Sequence, residues 1–287
     1  MPGTALILGG SGRFGRHATR AFQDAGWTTR QFDRKTDKLD RAARNADVIV
    51  AAWNPSYEDW ADQVPALHAR IRKAALENDA TVILPGNVYV FGPDTPAPWG
   101  PDTAHRAENP LGRIRRDMED AYRRDGVRTI LLRAGDFIDT TASGNWLERM
   151  MLPTVPKGAL TYPGRPDIPH AWAFLPDLTR AAVILAERRD SLARFEDVPF
   201  PGYTLTGREM AAILTRIHGR KIRVKPMKWW PLRLAQPFMP FIRHLFEMRY
   251  LWDTPHSLDG AKFAALLPEF TATPPETALS EVQVDPD

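Results

Sequence analysis

The sequence predicts an α/β protein on a doubly wound parallel sheet, with a smaller α+β lobe drawn mainly from its last third. Three observations point there. A short apolar run, Thr4–Leu8, passes directly into a glycine-rich turn and then a helical stretch. Apolar runs of strand length then alternate with helical patterns as far as position 133. Beyond Asp136 that alternation weakens and proline recurs.

The bulk properties bound the problem. A chain of 287 residues suffices for one large domain or two coupled ones. Hydrophobic residues make up 43% and charged residues 25%, the balance of a folded protein rather than a disordered one. Cysteine is absent, which excludes disulfides and thiolate chemistry and suits a reducing compartment. The first residues run straight into a strand with no secretory pattern, and no apolar run approaches the ~18 residues of a membrane span. A cytoplasmic location with no membrane partner is therefore expected. The formal charge of +3 is too small to indicate nucleic acid as a partner.

In Gly9-Gly10-Ser11-Gly12-Arg13-Phe14-Gly15 each glycine has a physical task. The early ones let the backbone turn sharply and approach a pyrophosphate; Gly15 lets the following helix, which runs to about Ala25, pack against the strand. The helix N-terminus adds free N–H groups and the positive end of its dipole. A Rossmann-type dinucleotide site follows, with Gly9, Ser11, Gly12, Arg13, Phe14 and Gly15 as binding residues. Read from Gly10 the spacing is G-x-G-x-x-G; read from Gly9 it is G-x-x-G-x-x-G. The turn alone leaves both registers open.

A second strand at 28–32 ends in Asp33-Arg34. Asp33 lies where a carboxylate accepts hydrogen bonds from the adenosine ribose, which favours NAD; Arg34 and Arg13 suit a phosphate and keep NADP open. Only a polar helical segment, 37–44, separates Asp33 from the next apolar run, 46–52. That is too little for a complete crossover, so the usual edge strand is expected to be missing or vestigial. Ala52 and Trp53 end that run at its carboxyl side, where ligands collect in open sheets. Tyr57, Trp60, Val64, Leu67, Ile71 and Ala75 recur at helical spacing as one buried face, with His68 beside it in a structural role. Strands follow at 80–84 and 129–133 around a helix at 112–124. The stretch 150–165 reads as loop, 180–188 as a helix returning to the main domain, and Thr206-Gly207-Arg208-Glu209 as a capping turn opening a helix to 217. A strand at 221–224 and a long helix at 231–251 complete the lobe. That last stretch mixes bases with aromatics, which also suits a membrane surface or a partner helix; a helix burying its aromatic face is the favoured reading. The expected division assigns 1–137 and about 166–190 to the nucleotide domain, and about 138–165 with 191–287 to the lobe.

Further stretches resemble the extended short-chain dehydrogenase/reductases, the sugar-nucleotide epimerase and dehydratase group. Val82-Ile83-Leu84-Pro85-Gly86-Asn87-Val88-Tyr89 is similar to their strand ending in serines and a V-Y-G tripeptide. Asn109-Pro110-Leu111-Gly112-Arg113-Ile114-Arg115 is similar to their P-Y-G-x-x-K helix start, and Leu131 to Phe137 to their nicotinamide-side strand. Phe174-Leu175-Pro176-Asp177 and the tail from Leu258 to Leu267 also resemble family elements. The resemblance selects the G-x-x-G-x-x-G register and implies an NAD(P)-dependent oxidoreductase or epimerase acting on a small carbonyl, hydroxyl or sugar-nucleotide substrate. It leaves open a homodimer.

The departures concern the proton relay. By the resemblance, the family's serine, tyrosine and lysine positions fall on Asn87, Leu111 and Arg115. Leu111 carries no proton, Arg115 can only hydrogen-bond the nicotinamide ribose, and Asn87 can orient a carbonyl without ionising. No Tyr-x-x-x-Lys occurs anywhere in the chain. The replacement candidates are Asn87 and Tyr89, placed on one strand face by alternation, with Asp136 as a base and His170 as a group titrating near neutrality. Zinc-protease, P-loop and nucleophile-elbow patterns are absent, and no metal is expected. Two functions fit: an enzyme with a rebuilt acid/base site, which is favoured, and a cofactor-binding sensor or scaffold that has lost turnover.

Overall fold

A computed structural model describes residues 2–283. Its main sheet has six strands: β1 (Thr4–Leu8), β2 (Thr28–Phe32), β3 (Val48–Ala51), β4 (Thr81–Gly86), β5 (Thr129–Arg133) and a late strand, Phe195–Pro199. Their spatial order is β2-β1-β3-β4-β5 and then Phe195–Pro199, and every pairing is parallel. Strands β1, β3 and β5 are apolar runs because helices cover both faces of the sheet. On one face α1 (Arg13–Asp24) packs on a helix at Leu175–Glu187, through Phe14, Ala18 and Phe22 against Leu178, Ala181 and Leu185. On the other face α3 (Trp60–Glu77) packs beside α4 (Pro110–Arg124), through Val64, Leu67 and Ile71 and through Met118 and Tyr122.

Strand β2 is half exposed because no described strand lies outside it. After it the chain makes only a single-turn helix, α2 (Leu39–Ala42), and returns to the other side of β1. The edge strand expected to be reduced is therefore absent from this sheet. The reversal of winding beside β1 opens a crevice at the carboxyl ends of β1 and β3.

The second region is built on two small sheets. Strands β6 (Asp136–Ile138), β8 (His170–Phe174) and β10 (Tyr203–Leu205) form one, in the order β10-β8-β6; β7 (Ala159–Tyr162) and β11 (Arg223–Pro226) form the other. The late strand of the main sheet is β9, and the helix at Leu175–Glu187 is α5. A third core unites these sheets with α6 (Gly207–His218), around Leu160, Trp172, Met210 and Trp252. The Thr206–Glu209 capping box forms in full, starting α6 where the sequence places it.

Three expectations change. Phe195–Pro199, expected in the lobe, pairs with β5 and completes the main sheet. The stretch 150–165 is ordered into a π-turn, a 3₁₀ turn and β7, because Met151, Leu152, Val155 and Leu160 all enter the third core. The single helix at 231–251 is broken into α7 (Trp230–Ala235) and α8 (Ile242–Glu247), followed by a 3₁₀ turn, Met248–Trp252. Pro237 and Pro240 lie between the two helices, and proline there removes an N–H donor and clashes with the preceding turn.

Candidate active site

A cleft of about 1630 Å³ runs along the carboxyl ends of the strands, from Asp33 after β2, past the glycine turn and Trp53, to Asn87, Tyr89 and Asp136. Its middle is the turn between β1 and α1. Gly9 takes φ +80°, and a Cβ there would stand 2.7 Å from the Trp53 backbone. Gly12 donates its N–H to the Gly9 carbonyl at 2.9 Å and caps α1 without a side-chain hydrogen bond; the first turn holds no acid. The first N–H groups of α1 are thus left for an anion. Gly15 does not line the cleft: a Cβ there would stand 2.8 Å from Gly9 C and 3.0 Å from Gly10 Cα, so it sets the closeness of helix and strand. Backbone fills the places where side chains would otherwise reach, and the turn fits a dinucleotide pyrophosphate.

Ser11, Arg13 and Phe14 line the cleft beside this turn. Arg13 donates from Nε to the Ser143 carbonyl at 3.1 Å, while Arg16 and His17 both bind the buried Asp139 carboxylate. The loop after β6 is thereby tied to the first turns of α1. Burial acts to raise the Asp139 pKa, but the hydrogen bonds from His17, Arg16 and Ser143 outweigh it and hold the group at about 2. At the far end the Asp33 carboxylate accepts the Lys35 N–H at 2.8 Å and remains exposed. The Arg34 guanidinium lies 5.7 Å from the centre of the Trp53 ring, and Ala52 lines the same wall.

At the opposite end the structure gathers a polar cluster. Tyr57 and Tyr89 share a hydrogen bond between hydroxyls at 2.6 Å, and both line the cleft. Burial pushes both phenols above their ordinary pKa, and the Asp136 charge adds to the shift. Asn87 and Tyr89 do not alternate along a strand: β4 stops at Gly86, and the Asn87 side-chain oxygen accepts the Tyr89 N–H at 3.0 Å across a turn. Periodicity places Tyr57 on the buried helix face. It sits instead in a 3₁₀ turn just before α3, half-buried, with its hydroxyl at the site. Its only sequence signal is that it follows the loop at the end of β3.

Asp136 lines the cleft and binds His170 Nε2 at 2.8 Å. His170 does not line the cleft. It lies within β8, buried, and stacks on Trp252 at 4.3 Å between ring centres. The imidazole thus stands behind the carboxylate rather than facing a ligand. Arg115 is also buried; its Nη2 donates to the Pro85 carbonyl at 2.6 Å, its Nε has no partner, and it lines the cleft below Trp60. Leu111 is core, 1% exposed, and the Glu247 carboxylate from α8 accepts its N–H at 2.6 Å. His68 is buried against the Tyr122 hydroxyl at 2.9 Å, and burial, reinforced by Arg115 and Arg72, lowers its pKa to about 3. Among the described residues no cluster of three or more metal-ligating side chains occurs.

No protein-family model matches the sequence, and no curated protein matches it. Solved structures match along its whole length. MoeE5 in complex with UDP-glucose and NAD superposes with a TM-score of 0.73 at 15% identity, over 97% of this chain and 97% of that one. The chain shares the fold of sugar-nucleotide epimerases and reductases. UDP-glucose 4-epimerase from Brucella ovis, in complex with NAD, gives 0.68 at 18% identity over 97% and 96% of the two chains. For dTDP-4-dehydrorhamnose reductase from Yersinia enterocolitica the values are 0.71, 16%, 97% and 97%. The epimerase-type fold expected from the sequence is the one observed.

Proposed function

We propose that the chain is a nicotinamide-dinucleotide oxidoreductase of epimerase or reductase type, with NAD preferred over NADP, acting on a small carbonyl, hydroxyl or sugar-nucleotide substrate. The observation that carries this reading is the side-chain-free cradle at Gly9 and Gly12, with Gly15 holding α1 close behind it. It faces a cleft with Asp33 at one end and Tyr57, Tyr89 and Asp136 at the other. NAD and UDP-glucose in the MoeE5 structure support it.

The first turn of α1 holds the pyrophosphate, and Asp33 accepts the ribose hydroxyls while disfavouring a 2′-phosphate. Arg115, anchored on Pro85 O, lines the cleft at the end where the nicotinamide would lie and would hydrogen-bond its ribose. The nicotinamide, when bound, supplies hydride exchange. The tyrosine pair supplies the proton: the two hydroxyls share one hydrogen bond, which leaves one O–H free to donate to a substrate oxygen. Asn87 has its amide N–H groups left to orient that oxygen. In the reverse direction the same pair takes the proton back, while Asp136, held by His170, lines the cleft as its fixed carboxylate.

Calorimetry with NAD, NADH, NADP and NADPH tests the nucleotide site; no heat from any of them at millimolar levels overturns it. Turnover over a panel of carbonyl compounds and sugar nucleotides tests the chemistry. Tyr57→Phe is expected to lower kcat by about 10²-fold or more with cofactor affinity unchanged. Cofactor binding with no turnover across the panel favours the second reading, a nucleotide-binding sensor or scaffold, which draws on the burial of Leu111.

A further inference from the structure

Among the described residues, the large apolar side chains that stand exposed are Leu76 and five from one short segment. These five are Trp230 (64%), Leu234 (67%), Phe238 (85%), Met239 and Phe241. The sequence favours a helix that buries its aromatic face; in the structure Trp229 and Phe246 pack on each other while Trp230, Phe238 and Phe241 stand exposed. Trp230 and Leu234 are one helical turn apart on α7, and the Phe238 and Met239 N–H groups both bond the Ala235 carbonyl, so the stripe continues past the helix end. A contiguous patch of this kind is a contact surface rather than ordinary surface composition.

The charge around it selects the partner. Between positions 221 and 246 the chain carries six bases and no acid: Lys221, Arg223, Lys225, Lys228, Arg233 and Arg243. All six are exposed. Two copies of this chain meeting through the patch would set these bases against one another with no local acid to pair them. An anionic headgroup layer supplies the missing charge, and its acyl boundary accepts Trp, Leu, Phe and Met side chains. The segment is also continuous with the cleft, since Leu232, Phe241 and Leu245 line it.

We propose that the segment from Trp230 to Phe241 docks the protein on an anionic bilayer surface, with the apolar stripe in the interface, the bases on the headgroups and the cleft beside the membrane. This does not rest on the oxidoreductase reading and is tested without turnover. The full chain is floated with vesicles of equimolar phosphatidylcholine and phosphatidylglycerol, and separately with phosphatidylcholine alone, at low and high salt. Recovery with the anionic vesicles, lost in pure phosphatidylcholine and weakened by salt, is expected. Leu234→Asp with Phe238→Asp, and separately Lys225→Glu with Lys228→Glu, should each reduce partitioning by about tenfold or more. Vesicles with brominated acyl chains should quench tryptophan fluorescence, and Trp230→Phe should remove much of that quenching, which locates the contact without relying on the aspartate variant. Failure of the wild type to float with anionic vesicles at low salt overturns the proposal. So does flotation undiminished by both double variants, or a solution dimer that Phe238→Asp dissociates, which would make the patch an interface between copies. NADH calorimetry on the same variants keeps a failure here separate from a failure of the nucleotide site.

Discussion

Replacing Gly15 by alanine tests the join between the first strand and the first helix most directly. A Cβ at that position would lie 2.8 Å from Gly9 C and 3.0 Å from Gly10 Cα, and closer still to Gly9 O. Carbon atoms in ordinary contact are about 3.5–4.0 Å apart, so helix and turn must separate by about 1 Å. No flexible side chain can yield, because every atom met is backbone. Overpacking of this kind costs about 1–3 kcal/mol. Moving the Gly9 carbonyl also weakens its 2.9 Å bond from Gly12 N–H, adding about 1 kcal/mol. Gly15→Ala should therefore lose about 2–4 kcal/mol of stability and most of its NADH affinity. Gly12→Ala is the control: its φ of −76° and ψ of 169° suit any residue, and a Cβ there meets Gly9 O at 3.2 Å and Ala52 O at 4.0 Å. It should keep its stability within about 1 kcal/mol while NADH binding falls by about tenfold or more, because the added methyl stands in the cradle. Urea denaturation followed by circular dichroism and calorimetry with NADH measure the two effects. A Gly15→Ala protein with wild-type midpoint and affinity would refute the close-packed turn, and a Gly12→Ala protein with wild-type affinity would refute the pyrophosphate position.

Asp139 has a folded pKa of about 2 against an unfolded value near 3.8, so its contribution is present above pH ~4 and is lost as pH falls toward 2. Asp139→Asn should cost about 2 kcal/mol at pH 7, with wild type and variant converging near pH 2 in urea titrations; a constant gap down to pH 2 would contradict the ion pairing with Arg16 and His17. Arg133 is fully buried and bridges Glu119 at 2.8 Å and Asp197 at 2.7 Å, so Arg133→Met, which strands two carboxylates, should cost about 3–5 kcal/mol. Burial already raises the Asp197 pKa despite the arginine, so the Met variant should be relatively less impaired in mild acid than at pH 8; equal impairment at both would refute the account. Leu111→Tyr, which rebuilds the family's tyrosine on paper, should cost about 1–3 kcal/mol and yield no turnover, because the position is core; a gain in activity without loss of stability would show that the site can open.

What the sequence by itself determined is local. The strand, glycine turn and helix from Thr4 to Asp24, the Thr206–Glu209 box and the shortened crossover after Asp33 follow from interactions within a few residues, and periodicity or glycine spacing suffices to read them. The apolar pattern at 231–251 reads as one long helix, but two prolines outweigh it, and the exposure of Trp230 and Phe238 cannot be read from a pattern that equally describes a buried face. Only the tertiary structure decided the polar site. Tyr57 meets Tyr89 across 32 residues, Asp136 meets His170 across 34, and Arg133 meets Asp197 across 64. These partners are brought together by the order of strands in two sheets, and that order depends on how whole apolar faces are covered. For the same reason His170 stands behind Asp136: β8 pairs with β6, and that pairing turns its imidazole into the third core instead of the cleft.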